Sequence, residues 1–202
     1  MLPPNWRPSM HGLFNRSLQS YLRNTFGSDF WDALAAEARI DAEGFEPILI
    51  YDDDITCRML DVAAQRLNRR RCDLLEDLGT HIVSGEDGGA FRRLLRFSGV
   101  SFLDFLRSVD HLPGWGRLAL PELDLPRLEM EELGAGRFRL TCRFRLPGAG
   151  HLASGVLRAM ADEYGALILM EEVQDLPHGG ERIEIDVPHW SHTPGRHFEL
   201  AG

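Results

Sequence analysis

The sequence predicts an α+β protein, an N-terminal helical part followed by an antiparallel sheet with a helix packed on it. Through the first half, apolar residues recur every three or four positions, the spacing of a helix with one buried stripe. After Pro126 the spacing becomes strict alternation. Phe138, Leu140, Cys142, Phe144 and Leu146 are separated by Arg139, Thr141, Arg143 and Arg145, which is the period of a strand with one buried face. Turn-rich stretches, at residues 84–89 and at Gly134-Ala135-Gly136, fall between the periodic segments.

The chain opens on nine residues with three prolines and no periodicity, which read as a disordered leader or an upstream start. Leu13, Phe14, Leu18, Tyr21, Leu22 and Phe26 then form the stripe of a first helix, with Gly27 as its stop. Ser28 is expected to cap a second helix carrying Phe30, Trp31, Leu34 and Ala35. Asp52-Asp53-Asp54 places negative charge where a helix dipole favours it, ahead of Met59, Ala63 and Leu67. Helices are expected over 73–82, 88–97 and 101–112, the last ended by Pro113-Gly114.

In the second half, Leu128 and Met130 alternate with charged residues, and Gly134-Ala135-Gly136 closes a hairpin onto the strand 138–146. Pro147 opens a helix through Leu152, Val156, Leu157 and Met160 to Gly165. Strands over 166–170 and 182–187 complete the sheet. The expected organisation is a leader (1–9), one domain (10–187, with 10–113 mainly helical and 126–187 sheet plus helix) and a tail (188–202).

With 202 residues and 44% hydrophobic side chains, the chain can build a core without metals or disulfides. A net charge of −9 argues against binding nucleic acid or an anionic membrane through bulk charge. The basic run Arg69-Arg70-Arg71 has acidic neighbours and reads as a solvated face. Cys57, Cys72 and Cys142 have no metal-ligand spacing. With no signal peptide, they suggest a reducing, cytoplasmic setting.

Several segments together resemble the haem nitric-oxide/oxygen-binding (H-NOX) family. Met10-His11-Gly12-Leu13 is similar to the family's opening, and Val109-Asp110-His111-Leu112-Pro113 to its Leu-Asp-x-Leu-His stretch. Pro126-Arg127-Leu128 follows without a gap. Beyond it, Cys142-Arg143-Phe144-Arg145-Leu146 stands where the family has Tyr-x-Ser-x-Arg. The resemblance implies a sensor fold whose pocket is lined by Phe14, Leu18, Pro113, Pro126, Cys142, Phe144, Leu146 and His151. It also implies haem as cofactor and a signalling enzyme as partner, such as a histidine kinase or a cyclic-di-nucleotide enzyme.

The site residues depart from that pattern. Proline has no lone pair on its side chain, so Pro113 cannot ligate iron as the family's histidine does. Alternation puts Cys142, Phe144 and Leu146 on the pocket face and Arg143 and Arg145 on the other, so the donors for the propionates are lost. His151 matches the family's distal tyrosine and is the one candidate metal ligand; its alternative is a helix N-terminal residue bonded to backbone. His111 is expected to face solvent, His81 to line a pocket or lie half-exposed, and His189, His192 and His197 to sit in a solvated tail.

Phosphate-loop, Gly-x-Ser-x-Gly and His-Glu-x-x-His motifs are absent, so no enzyme is expected. Three readings remain open: a haem-based sensor of NO or O2 using His151, a regulatory module whose pocket takes an apolar molecule, and a ligand-free interaction scaffold.

Overall fold

Where the sequence suggests a leader running through Ser9, the chain is already in a strand. Residues Ser9–His11 (β1) pair antiparallel with Ile50–Asp52 (β2), in the register Met10 opposite Tyr51. Both strands are three residues long, too short for alternation to reveal them. The structure is a computed structural model and describes residues 9–85, 89–119 and 124–188. The rest of the expected leader and nearly all of the expected tail lie outside those residues.

Helix α1 (Gly12–Phe26) starts on His11, whose Nδ1 accepts the Leu13 N–H at 3.2 Å. It buries Leu18, Tyr21 and Leu22 and stops at Gly27, whose φ of 91° suits glycine. Helix α2 (Ser28–Ala38) begins on Ser28 itself, so Ser28 is not the cap expected of it; Gly27 occupies that position. Helix α3 (Asp53–Leu67) is capped by Asp52, whose carboxylate accepts the Asp54 N–H at 3.0 Å. Helices α4 (Arg71–Ser84) and α5 (Gly89–Arg96) match two of the expected short helices, α4 being longer than its pattern indicates.

The expected helix over 101–112 is three pieces. Helix α6 (Phe102–Ser108) carries a capping box made by Ser101 and Asp104, a 3-10 turn covers Val109–His111, and α7 (Leu112–Ala119) follows. Pro113 therefore does not end a helix. It is the second residue of α7, in the first turn, where a missing N–H leaves no bond unmade and the fixed φ favours the helix.

The second half is an antiparallel sheet of β3 (Arg127–Gly134), β4 (Arg137–Arg143), β5 (Leu169–Met170), β6 (Gln174–Asp175) and β7 (Glu181–Asp186). The order is β3-β4-β7-β5, with β6 also paired to β7. The hairpin at Gly134–Gly136 is present, with φ of 87°, 53° and 78° at its three residues. Strand β4 ends at Arg143, not at Leu146 as the alternation suggests. Its last pairings are Cys142 with Glu181 and Arg143 with Arg127, and both neighbours run out there. Helix α8 (Ala149–Tyr164) starts two residues after Pro147, with Gly148 as cap.

Two buried clusters result. The first joins α1 to α4 through Leu18, Leu22, Trp31, Leu34, Met59 and Leu74. The second lies between the sheet and helices α6 and α8, with Phe105, Phe138, Leu140, Met160, Ile183 and Ile185 at its centre. Helices α4 and α8 hold the two together. At their crossing a Cβ on Gly155 would lie 1.9 Å from the Glu76 carbonyl oxygen, and one on Gly79 2.1 Å from that of Leu152. The Thr80 hydroxyl lies 3.3 Å from the carbonyl oxygens of both Glu76 and Gly155.

Candidate functional site

The 3-10 turn and α7 bring Pro113 into the interior, while His111 two residues earlier is exposed and lies 6.2 Å from the Trp115 ring. Leu112 packs on the second cluster. The stretch is fixed to the sheet at two points. Arg107 donates to both carboxylate oxygens of Glu132, at 3.0 and 2.9 Å, and this guanidinium holds the Glu132 carboxyl below the usual range. Asp110 accepts the Met130 backbone N–H at 2.5 Å, which occupies a donor on the edge strand β3.

Phe144 and Leu146 leave the sheet and reach the first cluster. Leu146 and Leu18 are buried in it, and Phe144 and Phe14 are each half-buried against it. The structure thus gathers Phe14, Leu18, Phe144 and Leu146 at one core. Pro126, half-buried, leads into β3. Cys142 is completely buried on the inner face of β4. Burial first, and then the charge of Glu181 opposite, pushes its thiol up to about 12.

Arg145 departs from the expected placement on the outer face. Beyond the end of β4 it turns to the N-terminal half, where its Nε donates to Asp53 at 2.7 Å. It also pairs with Asp124, and its guanidinium lies 5.1 Å from the centre of the Phe144 ring. The arginine side chain is 21% exposed and that of Asp53 17%. Sequence reasoning missed this cluster because its members come from three distant segments with no shared spacing.

His151 is half-buried in the first turn of α8, and its backbone N–H donates to the Gly148 carbonyl at 3.0 Å. That helix end is completed from the sheet: the carboxylate of Glu181, 8% exposed, accepts the Gly148 N–H at 2.7 Å and the Gly150 N–H at 2.6 Å. His81 is half-buried with its ring 5.6 Å from that of Tyr21. His189, His192 and His197 lie outside the described residues.

A surface depression of about 430 Å³ between the end of α3 and the start of α4 is lined by Ala64, Gln65, Asn68, Arg69 and Arg70, none of them an expected site residue. Its arginines are taken by the chain's own carboxylates, Arg69 by Asp77 at 2.6 Å and Arg70 by Asp73 at 2.7 Å. Among the described residues, no three or more His, Cys, Asp or Glu side chains are grouped to hold a metal ion.

A helical half joined to a five-stranded antiparallel sheet by a close helix crossing is the architecture of H-NOX sensor domains. The chain belongs to the haem-NO-binding family, whose sequence model matches residues 11–172. A mutant of the T. tengcongensis H-NOX protein superposes with a TM-score of 0.74 at 15% identity, covering 88% of this chain and 97% of that one. The S. oneidensis H-NOX protein in its Fe(II)NO ligation state gives 0.73 at 17% identity, covering 88% and 99%. Among curated proteins, soluble guanylate cyclase gcy-31 of Caenorhabditis elegans is 21% identical over 173 residues, 84% of this chain. Soluble guanylate cyclase 89Da of Drosophila melanogaster is 20% identical over 158 residues, 78% of this chain. The chain spans 24% of the length of each cyclase.

The residues present do not fit haem in the family's usual form. Pro113, which the resemblance sets at the ligand position, has no side-chain lone pair. Of the three residues that the resemblance sets at the carboxylate-donor positions, Cys142 and Leu146 are buried and Phe144 is half-buried. Both guanidiniums of this stretch are engaged by the chain's own carboxylates, Arg143 by Glu129 at 2.9 Å and Arg145 by Asp53 and Asp124.

Proposed function

We propose that this chain is a non-enzymatic regulatory module of the H-NOX class that acts on a separate signalling enzyme without a histidine-ligated haem. The observation that carries this reading is the buried Pro113 in the first turn of α7. A ring without lone pairs, at the residue that the resemblance matches to the family's imidazole, leaves no route to iron through that residue. The apolar character of Cys142, Phe144 and Leu146 supports the same reading, as does Arg145 with its two internal carboxylates. An uncharged apolar molecule is the ligand such surroundings favour over a dicarboxylate porphyrin. A histidine kinase or a cyclic-di-nucleotide enzyme is the proposed class of partner, in the cytoplasm.

An absorption spectrum of the protein expressed with ample haem, and again after haemin reconstitution, tests the proposal. No Soret band is expected, and none should appear with nitric oxide. A band that shifts with nitric oxide would overturn it.

One observation favours a second reading: the His151 imidazole is half-buried at the start of α8 rather than fully in solvent. If His151 ligates haem, the Soret band is present in the parent protein and vanishes in His151→Ala.

A further inference from the structure

Residues 41–54 carry six carboxylates and no basic side chain, and their centre is apolar. Ile48, Leu49 and Ile50 are 78%, 50% and 47% exposed, and Leu13, at the start of α1 beside them, is 37% exposed.

These side chains are held outward by a fixed backbone. The Gly12 N–H donates to the Leu49 carbonyl at 2.7 Å, and the Leu49 N–H to the Glu46 carbonyl at 3.2 Å. The Glu46 N–H donates to the Tyr51 hydroxyl at 2.9 Å, and Ile50 is in register with His11 across β1 and β2. The loop also lies directly on α1, since a Cβ on Gly12 would come within 2.1 Å of the Glu46 carbonyl oxygen. Glycine there is what lets the two backbones meet. Consecutive aliphatic side chains fixed in water gain nothing from the fold itself and mark a contact surface.

Charge selects the occupant. Asp53 is engaged with Arg145 and Asp52 caps α3, while Asp41, Glu43, Glu46 and Asp54, which flank the apolar strip in the sequence, are exposed. Arg16, one turn on from Leu13, donates to Gln19 at 3.5 Å. A second copy meeting this strip through the same face would set its exposed carboxylates against their equivalents, and an anionic membrane would meet the same repulsion. A cationic segment gains on both counts.

We propose that Leu13, Ile48, Leu49 and Ile50, with the carboxylates around them, form the docking surface for a basic amphipathic segment of a partner protein. Apolar side chains of that segment cover the strip, and its Lys or Arg residues meet the acidic rim. The inference rests on the regulatory reading in requiring a partner, and it is independent of haem.

The test uses the full chain and a fluorescent amphipathic helix built of Leu and Lys only, read by fluorescence anisotropy. The parent should bind this probe, and Ile48→Ser with Leu49→Ser should weaken binding roughly tenfold with no change in net charge. Neutralising Asp162, Glu171 and Glu172, which lie elsewhere in the sequence, to Asn and Gln should leave affinity within about twofold. Circular dichroism melts establish that each variant is folded. Equal binding by the parent and the Ser variant, no binding by the parent, or an equal loss on neutralising the distant carboxylates would overturn the proposal. So would concentration-dependent self-association that the Ser variant abolishes. Haem content enters none of these readings, so a Soret band would sink the reading of the site and leave this surface standing.

Discussion

Glu181 stands in β7 but acts on α8. Its two carboxylate oxygens accept the N–H groups of Gly148 and Gly150, doing from the sheet what a capping residue does from the preceding loop. The local sequence gave no sign of this, because the residue that completes the helix lies 31 and 33 positions away from the glycines it serves. Glu181→Gln keeps one acceptor and should cost about 1–2 kcal/mol in urea unfolding, with secondary structure unchanged. A loss well under that range would mean solvent satisfies the helix end. Beside it, the Cys142 thiol is held neutral, with its ionisation pushed up to about 12 by burial and then by Glu181. The unfolded thiol ionises from about pH 8.5 while the native one keeps its proton. Cys142 therefore contributes its full stabilisation below about pH 8.5 and loses it progressively as the pH rises towards the native value. A Cys142→Ala protein should show a flatter decline in stability across that alkaline window. In the native protein at neutral pH, a thiol reagent should modify the half-buried Cys57 and Cys72 well before Cys142.

At the scale of elements, the sequence announced most helices because their stripes are long, and it failed where an element's end depends on a neighbour. Alternation continues through Phe144 and Leu146, yet β4 stops at Arg143 because β3 and β7 offer no further pairing. Two residues of the apolar row therefore belong to the N-terminal core, and Arg145 belongs to a charge cluster instead of the outer face. That Pro113 lacks a side-chain donor or lone pair was legible from its residue type alone, but its place inside α7 was not. A proline in the first turn of a helix and a proline that ends one carry the same local signal. The α4–α8 crossing makes a sharper demand. Gly155→Ala would drive a Cβ to 1.9 Å from a backbone oxygen that no rotamer can move. It should destabilise the protein by about 1–3 kcal/mol or more, as overpacking does. Gly114→Ala is the matched control, since its Cβ would meet nothing within 4 Å and α7 is helical there. That change should stabilise by about 0.5–1 kcal/mol. Equal costs at the two glycines would mean that the helices separate at little cost.

Among the described residues, the two cores are joined by packing at the α4–α8 crossing, where Arg158 also pairs with Glu76, and by the ionic cluster around Arg145. Arg145 leaves the sheet half, Asp53 begins a helix of the N-terminal half, and Asp124 leads into β3. Most ion pairs here are exposed, such as Arg66 with Glu37 and Arg127 with Glu129, and pairs of that kind contribute about 0–1 kcal/mol. The Arg145–Asp53 pair is different in burial, at 21% and 17% exposure, so water screens it less and either partner left alone is costly. Asp124 is 48% exposed and should contribute little by itself. A double-mutant cycle separates these terms. Asp53→Asn and Arg145→Gln should each cost about 1–3 kcal/mol, and the double variant less than their sum by about 1–2 kcal/mol. The corresponding cycle with Asp124→Asn should give coupling under about 0.5 kcal/mol. The order of these couplings also bears on the ligand. If Asp53 holds Arg145 strongly, an incoming carboxylate must displace a partly buried ion pair before it gains a guanidinium. Haemin and its dimethyl ester should then bind the parent protein equally weakly, and the free acid should gain over the ester only in the Asp53→Asn background.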